Sequence, residues 1–400
     1  MCINYNMATI KQKSDIAKFS KSKKYIEMDW KEIRVISSEY PGQSGMTIFS
    51  YIDIKNPARK LSYYISKRGK SIGGFSLDNV NRTPNKEEPS NGAHSIALVG
   101  GSSLGLEALA GINRGILEDN LYWYNKILTE KERQEKGKIP LHEIVLGVCC
   151  YTSNLSIDQS YVYPDFEMGK MIVRKTLRDA HKEANPIQKI YLGQSGVGLN
   201  STVSKIDTVG GDNSWYDNIV IAGVGARFIQ YGTIKVLVFI NLNSVGLIHD
   251  NEQLLHPFPG GSNNLNGSNS GGDIKQHSKR LNEFRKWAEG INPPMKSNTT
   301  LSVVITNMQL PHNLKQKIAD DLHDEVESMI YPYGTSMDGD TFILASTWDK
   351  PFKSGTLEKL AKPLIRESIK SVFQTNDTKE KNTKEKNTKK KNTKKKNKHF

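Results

Sequence analysis

The sequence predicts a mixed α/β (α+β) chain, and three observations carry that expectation. Short β-branched runs alternate with amphipathic stretches along most of the 400 residues. Glycines punctuate the boundaries, as at Gly100-Gly101 and Gly223-Val224-Gly225. Only 36% of residues are apolar, and part of that deficit lies in one polar tail.

Taken in order, Ser95–Val99 predicts a strand. Residues 104–118 predict a helix through Leu104, Leu106, Ala108, Leu109, Ile112 and Ile116. Strands are expected at Ile144–Cys149, Ile219–Gly223 and Ile234–Ile240, and helices over 167–184 and 274–290. Leu301–Ile305 reads as a strand. Residues 311–330 form an amphipathic helix with Leu314, Ile318, Leu322, Val326 and Ile330 four apart. Thr341–Ala345 is a strand and 356–373 a last helix. The polar stretch 82–92 and the Gly/Asn/Ser run from Pro259 through Gly272 read as loops. A chain of this length accommodates two domains or one large unit with ample core.

Net charge is +14, but residues 376–400 hold eleven Lys against three acids, leaving about +6 for the rest. That tail repeats a five-residue unit, KEKNT, KEKNT, KKKNT, KKKNK, from Lys379 to Lys398. It has no apolar area to bury and is expected to be disordered. A solvated extension is the plain reading, and a nucleic-acid or acidic partner the sharper one. Three cysteines, Cys2, Cys149 and Cys150, build no disulfide framework and fit a reducing, cytoplasmic setting. Cys149 and Cys150 follow an apolar run and read as structural thiols of a buried strand. No run reaches the ~18 apolar residues of a membrane span. The first residues lack an apolar leader core, and the Lys-rich stretch 11–24 carries Asp15 and no Arg, unlike a presequence.

Three motifs could carry chemistry. Gly101-Ser102-Ser103-Leu104-Gly105 matches G-x-S-x-G, which would make Ser103 the nucleophile of an α/β-hydrolase elbow. The duller reading is a tight turn whose glycines allow close approach. Asn298-Thr299-Thr300 places a hydroxyl before a strand. It is also a glycosylation sequon, which the missing leader argues against. Asp338-Gly339-Asp340-Thr341 is a turn into a strand, 39 and 41 residues after Thr299. Its paired carboxylates favour a protonated partner.

Six blocks in order resemble one family. Residues 95–108 (SIALVGGSSLGLEA) are similar to the strand-GGS-x-GL-helix segment of the DmpA-type aminopeptidases and nylon-oligomer hydrolases. Tyr163-Pro164-Asp165-Phe166-Glu167-Met168-Gly169 resembles their YPD-x-x-MG segment. Gly196-Val197-Gly198 through Thr202-Val203-Ser204-Lys205 resembles a G-x-G…T-V-x-K stretch, and Gly223-Val224-Gly225 through Asn243-Ser244-Val245-Gly246 a G-x-G…N-x-V-G stretch. The Asn298 and Asp338 motifs match the last two blocks. The likeness runs over roughly residues 95–345.

The resemblance implies a four-layer α-β-β-α sandwich of the N-terminal-nucleophile type, similar also to ornithine acetyltransferases. It implies self-cleavage between Asn298 and Thr299. The large chain would comprise a divergent region 1–80 and a portion 81–298. The small chain would comprise 299–375 followed by the tail 376–400. Thr299 would be the nucleophile, its freed amine, with a pKa near ~8, serving as base. Asp338 and Asp340 would orient that hydroxyl and amine. Asn243 would donate to the oxyanion, a contact worth ~3 kcal/mol, with Asn241 its near neighbour. Lys205 would add positive charge where a surface lysine is the alternative. Tyr163 would complete the site, with Tyr161 close by.

The implied chemistry needs no cofactor and no metal. The implied substrate is a small peptide or other linear amide, and Thr after Asn resembles the nylon-oligomer branch. Cleaved chains would stay together in a homo-oligomer, a tetramer by resemblance. Alternatives are a Ser103 serine hydrolase, acyl transfer to ornithine, or a non-catalytic scaffold with a nucleic-acid-binding tail. The opening I-x-x-V-x-G-x-x-V-G-H pattern of the family is missing, and 259–273 looks like an insertion.

Overall fold

The computed structural model describes residues 17–41, 43–52, 60–77, 92–126, 129–131, 145–150, 162–182, 187–205, 220–251, 253–255, 298–336 and 338–373. The expected helix 274–290, the Asn-rich loop and the Lys-rich tail lie outside the described residues, as does nearly all of the polar stretch 82–92.

The strands through the first half are β1 (Lys18–Phe19), β2 (Tyr25–Met28), β3 (Ile33–Tyr40), β4 (Ser44–Tyr51), β5 (Ser62–Lys67), β6 (Gly74–Phe75), β7 (Ser95–Val99), β8 (Val145–Cys149) and β9 (Gln188–Tyr191). They continue as β10 (Thr202–Val203), β11 (Val220–Ile221), β12 (Gly223–Tyr231), β13 (Ile234–Leu242), β14 (Leu247–Asp250), β15 (Gln253–Leu254), β16 (Leu301–Met308), β17 (Ile330–Tyr331) and β18 (Thr341–Lys350). The α-helices are α1 (Glu107–Lys126), α2 (Phe166–Lys182), α3 (His312–Glu327) and α4 (Thr356–Phe373).

Two sheets dominate. The first runs β1-β3-β4-β7-β8-β6 and the second β12-β13-β16-β18-β5. Their inner faces meet in one core, where Phe49, Leu98, Leu146 and Val148 face Phe239, Val303, Ile305 and Ile343. Alternate residues point outward, as strand geometry requires. Met46, Ile48, Ala97 and Val99 pack under Leu109, Ile112, Met168 and Ile172 of α1 and α2. Val238, Val304, Phe342 and Leu344 pack under Ile318, Leu322, Ile365 and Ile369 of α3 and α4. The order is therefore helix, sheet, sheet, helix. Covered on both faces, the central strands read as continuous apolar runs.

Several expectations are corrected in detail. The turn after β7 is a 3₁₀ stretch, Ser102–Leu106, so α1 begins at Glu107 and Leu104 is half exposed. Ile330 lies beyond α3, in β17, yet joins the same core. The strand expected at 219–223 splits into β11 and the long edge strand β12. The N-terminal 80 residues supply β3 and β4 to the first sheet and β5 to the edge of the second. Their apolar pattern is diluted by hydroxyls that satisfy one another across strands. Ser37 Oγ lies 2.9 Å from Thr47 Oγ1, and Ser50 Oγ 2.8 Å from Ser95 Oγ.

Candidate active site

β16 and β18 run parallel, with Leu301 opposite Thr341, and a parallel bridge joins Asn298 to Asp338 just ahead of them. This register sets the Asn-Thr-Thr motif beside the Asp-Gly-Asp turn at the N-terminal ends of two central strands. Gly339 N–H donates to the Asn298 carbonyl at 2.9 Å, and Thr341 N–H to the Thr300 carbonyl at 3.0 Å. Thr299 is 3% exposed, and Asp338 and Asp340 are 1% each. A Cβ on Gly339 would stand 3.0 Å from Thr299 Oγ1, so the glycine leaves the hydroxyl its room.

The carboxylates are held by main-chain donors. Asp340 Oδ1 accepts from Thr300 N–H at 2.6 Å and Oδ2 from Gly334 N–H at 2.9 Å. Asp338 Oδ2 accepts from Thr335 N–H at 2.9 Å, while its Oδ1 is buried with no hydrogen-bond partner among the described residues. Burial raises the pKa of both, and the neighbouring Asp338 charge raises Asp340 further. The segment after β5 forms the floor. Arg68 N–H donates to the Asp340 carbonyl and Ser71 N–H to the Asp338 carbonyl. Gly69 between them has no space for a Cβ, which would fall 1.9 Å from the Asp338 carbonyl oxygen.

The opposite wall comes from the turn after β13. Thr299 N–H donates to the Asn243 main-chain carbonyl at 3.0 Å. The Asn243 side-chain oxygen accepts from Thr202 N–H at 3.0 Å and from Lys205 Nζ at 2.8 Å. Two donors thus engage Oδ1 and fix the orientation of the side-chain amide. Lys205 Nζ also reaches the Asn243 carbonyl at 3.1 Å. Thus Thr299, Asp338, Asp340, Asn243 and Asn298, all buried, and the half-buried Lys205 come from separate stretches of sequence to form one polar cluster. Neighbouring Asn241 is fully buried but engaged differently. Its side-chain oxygen accepts from Ser201 Oγ at 3.1 Å, and its amide points at Cys150.

The remaining candidates are Tyr163 and Ser103. Tyr163 is half-buried against Gly101, whose Cβ would approach the Tyr163 Cβ to 2.5 Å. The hydrogen bonds just described do not run through it. The elbow at Ser103 is not built. The left-handed φ values fall on Gly101 (77°) and Ser102 (59°), and Ser103 is exposed in the 3₁₀ turn. An elbow puts the nucleophile itself at the strained position. The glycine-turn reading holds there.

Sequence reasoning missed three contributors. Gly339 acts through its N–H, which no residue-type signal reveals. Cys150 meets Thr299 through its thiol. Behind the acidic turn, Ser66 Oγ donates to Asp320 Oδ1 at 2.5 Å, so it accepts from His323 Nδ1 at 3.0 Å. His323 Nε2 then accepts from Tyr333 Oη at 2.7 Å. Burial, with Arg68 nearby, lowers the His323 pKa to about 3 and keeps the ring neutral. Among the described residues, no group of three His, Cys, Asp or Glu is placed to hold a metal, and no helix is long and apolar enough to cross a membrane.

Fold and site together define a four-layer α-β-β-α protein with a polar cluster gathered around Thr299. No family model matches the chain. It is similar to the 6-aminohexanoate-oligomer endohydrolases of Kocuria sp. (strain KY2), 26% identical over 255 residues, and of Paenarthrobacter ureafaciens, 24% identical over 255 residues. The aligned part is 64% of this chain and 60% of each relative, so the chain matches about three-fifths of their length. The resemblance to the DmpA-type and nylon-oligomer hydrolase family, first carried by six blocks, is borne out by these relatives. Among solved structures, the L-aminopeptidase D-Ala-esterase/amidase of Ochrobactrum anthropi aligns with a TM-score of 0.47 and 13% identity, over 89% of this chain and 82% of that one. A Burkholderia sp. beta-aminopeptidase aligns with a TM-score of 0.45 and 11% identity, over 83% of this chain and 78% of that one. The four layers themselves are read from this chain's own cores.

Proposed function

We propose that the chain is an amide hydrolase that matures by cutting its own Asn298–Thr299 bond and then uses Thr299 as an N-terminal nucleophile. The observation that carries this reading is the setting of Thr299. A threonine buried between a pair of pKa-raised carboxylates and an Asn243–Lys205 pair, with the preceding carbonyl polarised by Gly339 N–H, suits nucleophilic chemistry rather than a strand entrance.

In the first step Thr299 Oγ attacks the Asn298 carbonyl carbon, and its proton passes to the departing nitrogen. The C–N bond breaks, giving an ester between Asn298 and Thr299 Oγ and a free α-amine. Water opens the ester, leaving the Asn298 carboxylate and restoring the hydroxyl. The new α-ammonium forms between the Asn243 carbonyl and the buried carboxylates of Asp338 and Asp340, whose charge favours it.

In the mature site the α-amine, deprotonated, takes the hydroxyl proton as Thr299 Oγ attacks a substrate amide. The Asn243 amide faces the developing oxyanion with Lys205 charge behind it. The leaving amine takes the proton, and water hydrolyses the acyl-Thr299 ester. Small peptides and other linear amides are the substrate class. The cut leaves β16 and β18 in the small chain, flanked by β13 and β5 of the large one, so sheet pairing keeps the fragments together.

The test uses purified full-length protein on a denaturing gel and in hydrolysis assays with 6-aminohexanoate oligomers and short peptides. Two fragments and hydrolysis of at least one substrate class are expected, both lost in Thr299→Ala. One full-length band with hydrolysis that survives Thr299→Ala overturns the reading.

A further inference from the structure

Cys149 and Cys150 are adjacent in sequence and face opposite sides of the first sheet, as a two-residue period requires. Cys149 enters the outer core with Ala108, Leu109 and Ile112. Cys150 enters the inter-sheet core and is fully buried. Its main chain belongs to the first sheet. Cys150 N–H donates to the Val99 carbonyl at 2.7 Å, and its carbonyl accepts from Ser102 N–H at 3.0 Å. Its side chain reaches the second sheet's site. The thiol donates to the Thr299 carbonyl at 3.7 Å and accepts from Asn241 Nδ2 at 3.4 Å.

We propose that Cys150 is a positioning residue of this site: its thiol ties the Thr299 main chain to the first sheet while receiving the Asn241 amide next to Asn243. The inference rests on Thr299 being the nucleophile, as proposed above. The thiol itself is no nucleophile, because burial pushes its pKa up to about 12 and keeps the proton on sulfur for donation. The need for such a tie follows from the cut. Before cleavage Thr299 is anchored on both sides, by its N–H to Asn243 and by its carbonyl to Cys150. Afterwards Thr299 is a chain end, and chain ends fray unless tied down. The carbonyl side then works with Thr300, whose N–H is bound to Asp340 and whose carbonyl is bound to Thr341 N–H, to keep the hydroxyl in register. Asn241, whose amide meets this sulfur, is separated by one residue from Asn243. The thiol therefore joins the main chain of the nucleophile to the strand end that leads into Asn243.

The test compares wild type, Cys150→Ser, Cys150→Ala and Cys149→Ala as full-length chains. Self-cleavage rate, kcat, KM and Tm are measured for each. Cys150→Ser keeps a donor and acceptor and is expected within about threefold of wild type in both rates. Cys150→Ala is expected to slow self-cleavage and lower kcat about tenfold, with KM little changed. Cys149→Ala should lower Tm and leave both rates alone. If Cys150→Ala does not fold, Cys150→Val, which fills the volume without a donor, decides in its place. Unchanged rates with a lowered Tm in the Ala or Val variant overturn the proposal, and so does a Ser variant as slow as Ala. A wild-type chain that neither cuts nor hydrolyses overturns the reading of Thr299 itself. A wild type that does both while the Ala variant matches it overturns only the role of Cys150.

Discussion

Each of the two large sheets holds one parallel strand pair among the described residues, and each pair ends in a motif that looks catalytic. At the C-terminal end of β7 stands G-S-S-x-G, a pattern associated with serine nucleophiles. Ahead of β16 and β18 stand Asn-Thr-Thr and Asp-Gly-Asp, a sequon and an ordinary turn. Surroundings reverse that order of promise. Ser103 is exposed in a 3₁₀ turn, whereas Thr299 is 3% exposed among two carboxylates, an asparagine and a lysine. The two ends meet where the Cys150 thiol touches the Thr299 carbonyl. Nucleophilicity belongs to the partners a hydroxyl is given, and a five-residue pattern does not supply them.

The comparison breaks or sharpens under substitution. The largest effect is expected for Thr299→Ala, which should abolish self-cleavage and reduce amide hydrolysis at least ~10³-fold, read by gel and by product release. Asn243→Ala should lower kcat about 10²-fold, the typical loss on removing one oxyanion donor. Its rate should fall further than its Tm shift explains, which steady-state kinetics beside a melting curve would show.

The two pairs also differ in what lies behind them. Helices α1 and α2 back the β7–β8 pair with an apolar layer. The β16–β18 pair is backed partly by the polar chain from Asp320 through Ser66 and His323 to Tyr333. The folded-state pKa of His323, about 3, lies below its ordinary 6.5. Between those values the unfolded chain binds the extra proton, so stability rises with pH across that window and is lost as pH falls through it. His323→Gln should flatten this slope, measured as denaturation midpoints from pH 7 to pH 4. An unchanged slope would remove His323 as the acid-sensitive element. The smallest effect belongs to Ser103→Ala, expected to leave both rates within about twofold, since nothing in its setting activates the hydroxyl. Hydrolysis lost in Ser103→Ala but kept in Thr299→Ala would restore the elbow.

Much of the fold was legible where pattern and burial agree. The four-residue spacing of Leu314, Ile318, Leu322 and Val326 marks α3, and the runs after Thr300 and Asp340 mark β16 and β18. The N-terminal strands were not legible, because β3 and β4 bury hydroxyls that pair across the sheet and read locally as loop-like. Within the site, Thr299, Asn243 and the acidic pair are side chains whose types announce chemistry. Gly339 and the Arg68–Ser71 floor act through main-chain groups, which composition cannot signal. Cys150 was hidden for another reason. Adjacent cysteines look alike in sequence, and only strand register decides which one faces Thr299.

The most direct measurement of the central claim is N-terminal sequencing of the smaller fragment from purified protein. The account predicts Thr-Thr-Leu-Ser, beginning at Thr299, and no such fragment from the Thr299→Ala chain. A chain that stays intact on long incubation, or a fragment that starts at any other residue, would contradict it.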